Sequence, residues 1–321
     1  MKKVLSIGII LAMLTLAGCK NSSKDLLLFE SRISSSDYAI DNLVTQGDFF
    51  AEDLVIIPEN NNTGDDSELT AGASLLVDTT NQEVIYASHV YDKLYPASLT
   101  KLLTSLIVLK YGELSDMVTV SYNASHIEES GAKLCGFQEG DVISMEALLN
   151  CLLIYSGNDA AVAVADHISG SEEAFVKKMN EEAKRIGAVH SNFVNSNGLH
   201  SDDQYTTAYD LYLIFNELLQ YDTFQTIINS TSYTANYQDK DGNAKEKTFG
   251  STNLYLKGEA EITEGIEVIG GKTGTTRKAG NCLILLSRDA ENREYISLIL
   301  KAANRDELYS DMTHLLSLTS N

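Results

Sequence analysis

Three short segments hold residue types suited to nucleophilic chemistry. In Ser98-Leu99-Thr100-Lys101, a hydroxyl and an amine three residues apart share one helix face and can touch. A serine at a helix start lies where the dipole favours developing negative charge. A lysine becomes a base near neutral pH once burial or another cation lowers its pKa. The second segment, Ser156-Gly157-Asn158, offers a hydroxyl and a carboxamide from one turn, with a glycine that permits an unusual backbone angle. The third, Lys272-Thr273-Gly274-Thr275, follows a β-branched run and Gly270-Gly271. A strand edge there presents a cation, two hydroxyls and backbone N–H groups to a carboxylate-bearing substrate, and Gly274 allows a close backbone approach. Each signal is weak alone. Ser130-Gly131-Ala132-Lys133 also fits S-x-x-K but lacks the apolar helix and reads as a chance match in a polar loop. Lys-Thr-Gly occurs once.

The elements that must position these segments are legible from periodicity. Residues 73–77 and 83–87 read as strands around a turn at 78–82. Residues 98–111 form an apolar helix stopped by Gly112. Helical patterning continues over 145–153, 158–168, 171–186 and 207–219. Strand patterns return at 268–273, 281–287 and 295–301, and the helix over 306–318 puts Leu308, Met312, Leu315 and Leu316 on one face. Strands at both ends with helices between predict an α/β domain: one sheet completed by distant segments, with a helical block inserted.

Composition narrows the classes. With 321 residues, 44% hydrophobic and 21% charged, the chain is globular. Its 24 Lys and Arg against 45 Asp and Glu give a net charge of −21 with no basic block, which argues against nucleic acid as a partner. Met1-Lys2-Lys3, an apolar run from Val4 to Leu16 and Leu16-Ala17-Gly18-Cys19 read as an export signal. The last four residues resemble the lipobox of bacterial lipoproteins, which implies lipidation at Cys19 after loss of residues 1–18. An ordinary cleaved signal peptide is the alternative. Residues 19–70 read as a polar tether whose apolar patches, 26–29 and 54–57, dock on the main domain or remain free. The catalytic-type domain then runs over 71–321. Cys135, Cys151 and Cys282 read as buried thiols, with a Cys135–Cys151 bridge as the other option.

Taken together, the three segments resemble those of serine-type D-alanyl-D-alanine carboxypeptidases, the low-molecular-mass penicillin-binding proteins. The likeness extends to Tyr95-Pro96-Ala97 ahead of Ser98, Asp159-Ala160-Ala161, Asn197-Gly198-Leu199, Thr206 to Leu211, Gly270-Gly271 and Ala279 to Leu283. It implies a β-lactamase/transpeptidase-like fold, an antiparallel sheet with flanking helices, and no cofactor. It also implies that Ser98 attacks the peptide bond between two D-alanines of a peptidoglycan stem peptide, with β-lactams as covalent inhibitors. Lys101 then takes the serine proton and Ser156 relays a proton to the leaving nitrogen. Asn158 holds the substrate amide, Lys272 supplies positive potential, and Thr273 and Thr275 bind the terminal carboxylate. The N–H groups of Ser98 and Thr275 form the oxyanion hole. Arg305 matches a basic position near that carboxylate, with a plain helix-start arginine as the alternative.

The sequence departs from the family at Gln204-Tyr205, where a histidine is common, and at Leu254, where a basic residue often follows Thr-Asn. Both bear on substrate grip. The short stretch after Lys272 leaves no room for the β-rich C-terminal domain or amphipathic membrane helix of many relatives. Lipidated Cys19 would anchor the protein to the outer face of the cytoplasmic membrane instead.

Competing chemistries fit less well. Glu146 to Asn150 carries the letters of a lactamase deacylation segment but precedes Ser156, which predicts slow penicillin turnover. The six histidines show no metal-ligand spacing, with His200 beside Asp202 and Asp203 the only mild candidate. Endopeptidase cleavage of cross-links uses the same machinery and is the alternative activity. A catalytically weak, peptidoglycan-binding lipoprotein is the non-enzyme alternative.

Overall fold

The computed structural model describes residues 54–58 and 66–320. The expected signal peptide, Cys19 and the first apolar patch lie outside the described residues. Strands β1 (Ala73–Asp78), β2 (Glu83–Ser88), β7 (Ile266–Thr276), β8 (Gly280–Asp289) and β9 (Glu294–Ala302) form one antiparallel sheet in the order β2-β1-β9-β8-β7. Chain ends far apart in sequence therefore complete a single sheet, as the strand pattern predicts.

The strands alternate in the two-residue period that assigns side chains to opposite faces. Leu75, Val77, Ile284, Leu286 and Leu298 face a large core shared with helix α1 (Thr100–Tyr111) and the other inserted helices. Leu76, Leu283, Leu285 and Ile299 face a smaller core closed by the terminal helix α8 (Arg305–Ser317) through Leu308, Met312, Leu315 and Leu316. Each such side chain contributes about 1.5–3 kcal/mol when fully buried.

The inserted block contains α2 (Tyr122–Ser125), α3 (Met145–Asn150), α4 (Asn158–Ser169), α5 (Glu172–Arg185), α6 (Ala208–Leu218) and α7 (Asp222–Ile228). Ser144, Ser171 and Thr207 cap α3, α5 and α6 by accepting backbone N–H bonds. The block is not purely helical. Short strands β3 (Met117–Thr119) and β4 (Val142–Ser144) and the hairpin β5 (Ser232–Gln238)–β6 (Ala244–Gly250) form a second sheet, β3-β4-β5-β6. The hairpin escapes the sequence reading because β6 is exposed at every position except Phe249 and gives no apolar period. Its turn is set locally instead, by the Asp239 carboxylate accepting the N–H groups of Asp241 and Asn243 and by Gly242 at φ +83°.

Residues 54–58, placed in the tether by the sequence reading, pack against the main body. Val55 and Ile57 are buried in the larger core. The Val55 N–H donates to the Tyr212 hydroxyl at 3.0 Å, the Tyr209 hydroxyl donates to the Val55 carbonyl at 3.2 Å, and the Tyr91 hydroxyl donates to the Ile57 carbonyl.

Candidate active site

Ser98 lies in a 3-10 turn, Ala97–Leu99, that leads into α1. Ala97 has φ +47°, a left-handed conformation that a side chain resists. The turn is clamped from two sides by glycines. Gly198, at φ +88°, lies so close that a Cβ would overlap the Ala97 carbonyl and sit 3.0 Å from the Ser98 nitrogen. On the other side a Cβ at Gly274 would stand 3.1 Å from the Ser98 and Leu99 nitrogens. Gly274 thus admits the Ser98 turn against β7, rather than only a substrate backbone as its strand position suggests.

Lys101 is wholly buried in the first turn of α1. Its Nζ lies 3.2 Å from Ser98 Oγ and 2.6 Å from Asn158 Oδ1, and also donates to the Asn197 carbonyl. Burial pulls its pKa down to about 7, against the opposing pull of the Asp159 charge. The partners determine where the lone pair goes. A neutral amine has two hydrogens, and neither the Asn197 carbonyl nor Asn158 Oδ1 can donate to it. With both hydrogens so engaged, the lone pair is left for the Ser98 hydroxyl.

Ser156 follows a π-helical turn, Cys151–Tyr155, and adopts φ 72°, ψ 33°. The unusual backbone angle therefore belongs to Ser156, whereas Gly157 is extended at φ −61°, ψ 124°. Gly157 is required for a different reason: a Cβ there would overlap the Cys135 sulfur. Lys272 Nζ donates to Ser156 Oγ at 2.9 Å. Because the serine oxygen accepts that bond, its own hydrogen is free to point elsewhere. Lys272 is buried, and burial first, then repulsion from Lys101 and Lys133, hold its pKa well below the ordinary lysine value.

Asp159 supports this turn and carries no assignment in the sequence reading. Its buried carboxylate accepts the N–H groups of Cys135 at 2.8 Å, Gly136 at 2.7 Å and Phe137 at 3.3 Å. The Lys133 carbonyl in turn accepts the Asn158 N–H at 2.8 Å. Together these bonds fasten a strap, residues 129–137, beside the site. Asp159→Ala orphans three N–H groups and should cost about 2–4 kcal/mol of stability. It should also slow acylation of Ser98 several-fold, as read by thermal melting and by the rate of penicillin labelling. Unchanged melting would remove Asp159 from this role.

Two cavities meet at Ser98. The first, about 190 Å³, is lined by Ser156, Thr252, Thr273, Thr275, Asn281 and Arg305 among others. Thr273 shares a 2.6 Å hydroxyl–hydroxyl bond with Thr252, and Thr275 donates to Asn281 Oδ1 at 3.2 Å. Arg305 both begins α8 and lines this cavity. The second cavity, about 580 Å³, continues past Ser98 and Asn158 between the strap, Gly198–His200 and Thr275–Lys278. The loop containing Ser130 and Lys133, dismissed as a chance match, is its wall.

The departures from the family pattern also find places. Gln204 is buried and accepts the N–H groups of Val194 and Asn195 at 3.0 and 3.2 Å, bracing the loop that presents Asn197. It therefore braces a wall behind Lys101, and it lines neither cavity at Ser98. Glu146 is exposed at the start of α3 and lines neither cavity. His200 lines the larger cavity, with Nε2 3.2 Å from Asp202. Among the described residues no three His, Cys, Asp or Glu side chains converge as metal ligands, and no helix is long and apolar enough to cross a membrane.

The chain has recognisable relatives. The profile of the family described as D-alanyl-D-alanine carboxypeptidase matches residues 60–304. The chain is 31% identical over 253 residues to the D-alanyl-D-alanine carboxypeptidase DacF of Bacillus subtilis, covering 77% of this chain and 61% of that one. It is 28% identical to the D-alanyl-D-alanine endopeptidase of Escherichia coli, covering 75% and 74% respectively. Among solved structures, the DD-transpeptidase of Streptomyces K15 superposes with a TM-score of 0.72 at 25% identity, over 78% of this chain and 97% of that one.

Proposed function

The chain belongs to the D-alanyl-D-alanine carboxypeptidase family, and from that premise we propose that it removes the terminal D-alanine from peptidoglycan stem peptides through a Ser98 acyl-enzyme. The observation that carries this reading is Lys101, buried, with a pKa of about 7 and its partners arranged to aim a lone pair at Ser98 Oγ. At neutral pH roughly half of it is an available base.

The proposed steps run as a serine acyl transfer. Ser98 Oγ attacks the carbonyl between the two D-alanines as Lys101 takes its proton. The N–H groups of Ser98 and Thr275 receive the developing oxyanion. The C–N bond breaks as Ser156 passes its proton to the departing nitrogen and recovers one through the lysines. Water then hydrolyses the ester. The small cavity, with Thr273, Thr275 and Arg305, receives the terminal carboxylate, and Asn158 holds the amide on the acyl side. A carboxylate arriving near Lys272 raises that lysine's pKa and favours its charged form. The sheet order leaves β7 at an edge, so a peptide can lie along Gly274–Thr276 as an added strand.

The protein is proposed to work outside the cytoplasm, held to the membrane by a lipid on Cys19. One experiment addresses activity and anchor together. Membranes from cells expressing the full chain are labelled with a fluorescent penicillin, the modified peptide is mapped, and D-alanine release from a pentapeptide is followed. Label on Ser98, free D-alanine, and transfer of the label to the soluble fraction in Cys19→Ser are expected. An unlabelled but folded protein would overturn the acyl-enzyme reading. Label that stays with membranes in Cys19→Ser would overturn the anchor. The endopeptidase relative favours a second reading, cleavage of cross-linked dimers, which chromatography of digested peptidoglycan separates from D-alanine release.

A further inference from the structure

The charge around Ser98 is inverted relative to the rest of the chain. The sequence has nearly two acidic residues for each basic one and a net charge of −21. Yet the charged side chains lining the two cavities are Lys133, Arg277, Lys278 and Arg305 against Glu129 alone. Among the described residues none of the four cations is in an ion pair. Lys133 rests its ammonium 4.2 Å from the centre of the Tyr155 ring, a contact that leaves its charge available to an anion. Unpaired like charges are gathered where an acidic chain had every opportunity to neutralise them. Arg305, in the small cavity, has a use in the proposed reaction. Lys133, which lines both cavities, and Arg277 and Lys278, which line only the larger one, have none.

The larger cavity lies on the acyl side of the scissile bond if the small cavity takes the leaving D-alanine. A peptide running along β7 past Thr275 and Thr276 brings the residue preceding the D-Ala-D-Ala pair towards Arg277 and Lys278, and about 580 Å³ accommodates a long side chain. Resting on that assignment of sides, we propose that this cavity selects stem peptides whose third residue is a diamino diacid with a free side-chain carboxylate. The cations take the carboxylate, and Glu129 is the lining acid suited to its ammonium. A lysine at that position offers only the ammonium, and an amidated diacid loses the charge. Each exposed ion pair alone contributes little. Several cations focused in a cleft act together on one anion, which sets an expected selectivity of about tenfold rather than a thousandfold.

The test compares three pentapeptides that differ only at the third residue: the free diamino diacid, its carboxamide, and lysine. D-Alanine release by the full chain gives kcat/KM, and binding to the Ser98→Ala chain gives affinity without turnover. The free diacid should exceed both others by about tenfold. That preference should shrink to about twofold in Arg277→Gln/Lys278→Gln, and should also fall in high salt as screening predicts. Equal kcat/KM for all three peptides, with D-alanine released, would overturn the selectivity and leave the carboxypeptidase reading intact. Preferential binding of the free diacid without release from any peptide would uphold the cavity's selectivity and overturn the activity. Neither release nor preferential binding would overturn both.

Discussion

Lys101→Met should slow covalent labelling of Ser98 by about 10³-fold, within the range that general base catalysis contributes. The substitution keeps the length and apolar stem of a side chain that is wholly buried, and the two acceptors it leaves unpartnered cost about 1–3 kcal/mol each. It removes the basic nitrogen that lies 3.2 Å from Ser98 Oγ. The wild-type rate should also depend on pH in a definite sense. In the proposed reaction the neutral amine is the base, and burial pulls its pKa down to about 7. Labelling therefore rises as pH increases through 7 and levels off above it. Lys101→Met should lose that rise along with the rate. Stopped-flow labelling from pH 5.5 to 9 measures both. A variant that labels within tenfold of wild type, or that retains the rise, would contradict the assignment of Lys101 as the base.

Gly198→Ala should cut labelling at least 100-fold and lower the melting temperature, the larger part of the damage falling on the nucleophile. Two costs coincide. Gly198 is at φ +88°, where an L side chain is strained by about 1–2 kcal/mol. The added Cβ would overlap the Ala97 carbonyl oxygen and stand 2.5 Å from its carbon. That oxygen accepts the Thr100 hydroxyl at 2.9 Å, so the Ser98 turn is not free to retreat. The opposite retreat moves the neighbouring Asn197 carbonyl off Lys101. Either response displaces a reacting atom, and displacements of about 1 Å cost orders of magnitude in rate. Gly274→Ala provides the comparison. Its Cβ would meet the same turn at 3.1 Å, a tight contact that a shift of a few tenths of an ångström relieves, so its loss should be several-fold. Wild-type labelling by Gly198→Ala would show that the loop yields without disturbing Ser98.

How legible the molecule is in its sequence depends on how local the cause is. Helices α5 and α6 are readable because apolar periodicity and a capping hydroxyl lie within the segment itself, α4 by its periodicity, and α1 because its long apolar run ends at Gly112. The central sheet is readable because β8 and β9 are buried runs rich in Leu and Ile. Hairpin β5–β6 is not, since its exposed side chains carry no period and its turn is closed by one aspartate. Residues 54–58 illustrate the same limit. Four adjacent residues, Leu54 to Ile57, mark an apolar patch, but three tyrosines from distant segments decide that it docks.

The candidate site divides in the same way. Ser98, Lys101, Ser156, Asn158 and Lys272 to Thr275 can be named from residue type and spacing, because each short segment holds complementary groups within one turn or strand. Their assembly, and the residues that make it work, are tertiary. Asp159 matters through N–H groups more than twenty residues earlier, Asn197 through a carbonyl that any residue possesses, and Gly157 and Gly198 through atoms that a Cβ would strike. Lys133 looks like a chance repeat of a motif until its loop is seen to wall the cleft. Residue types and spacing are enough to name the reactive groups and most of the helices and strands that hold them. Packing is what buries Lys101, brings its pKa to about 7 and sets its Nζ 3.2 Å from Ser98 Oγ. Burial and the exclusion of water are properties of packed elements, and no single segment contains them.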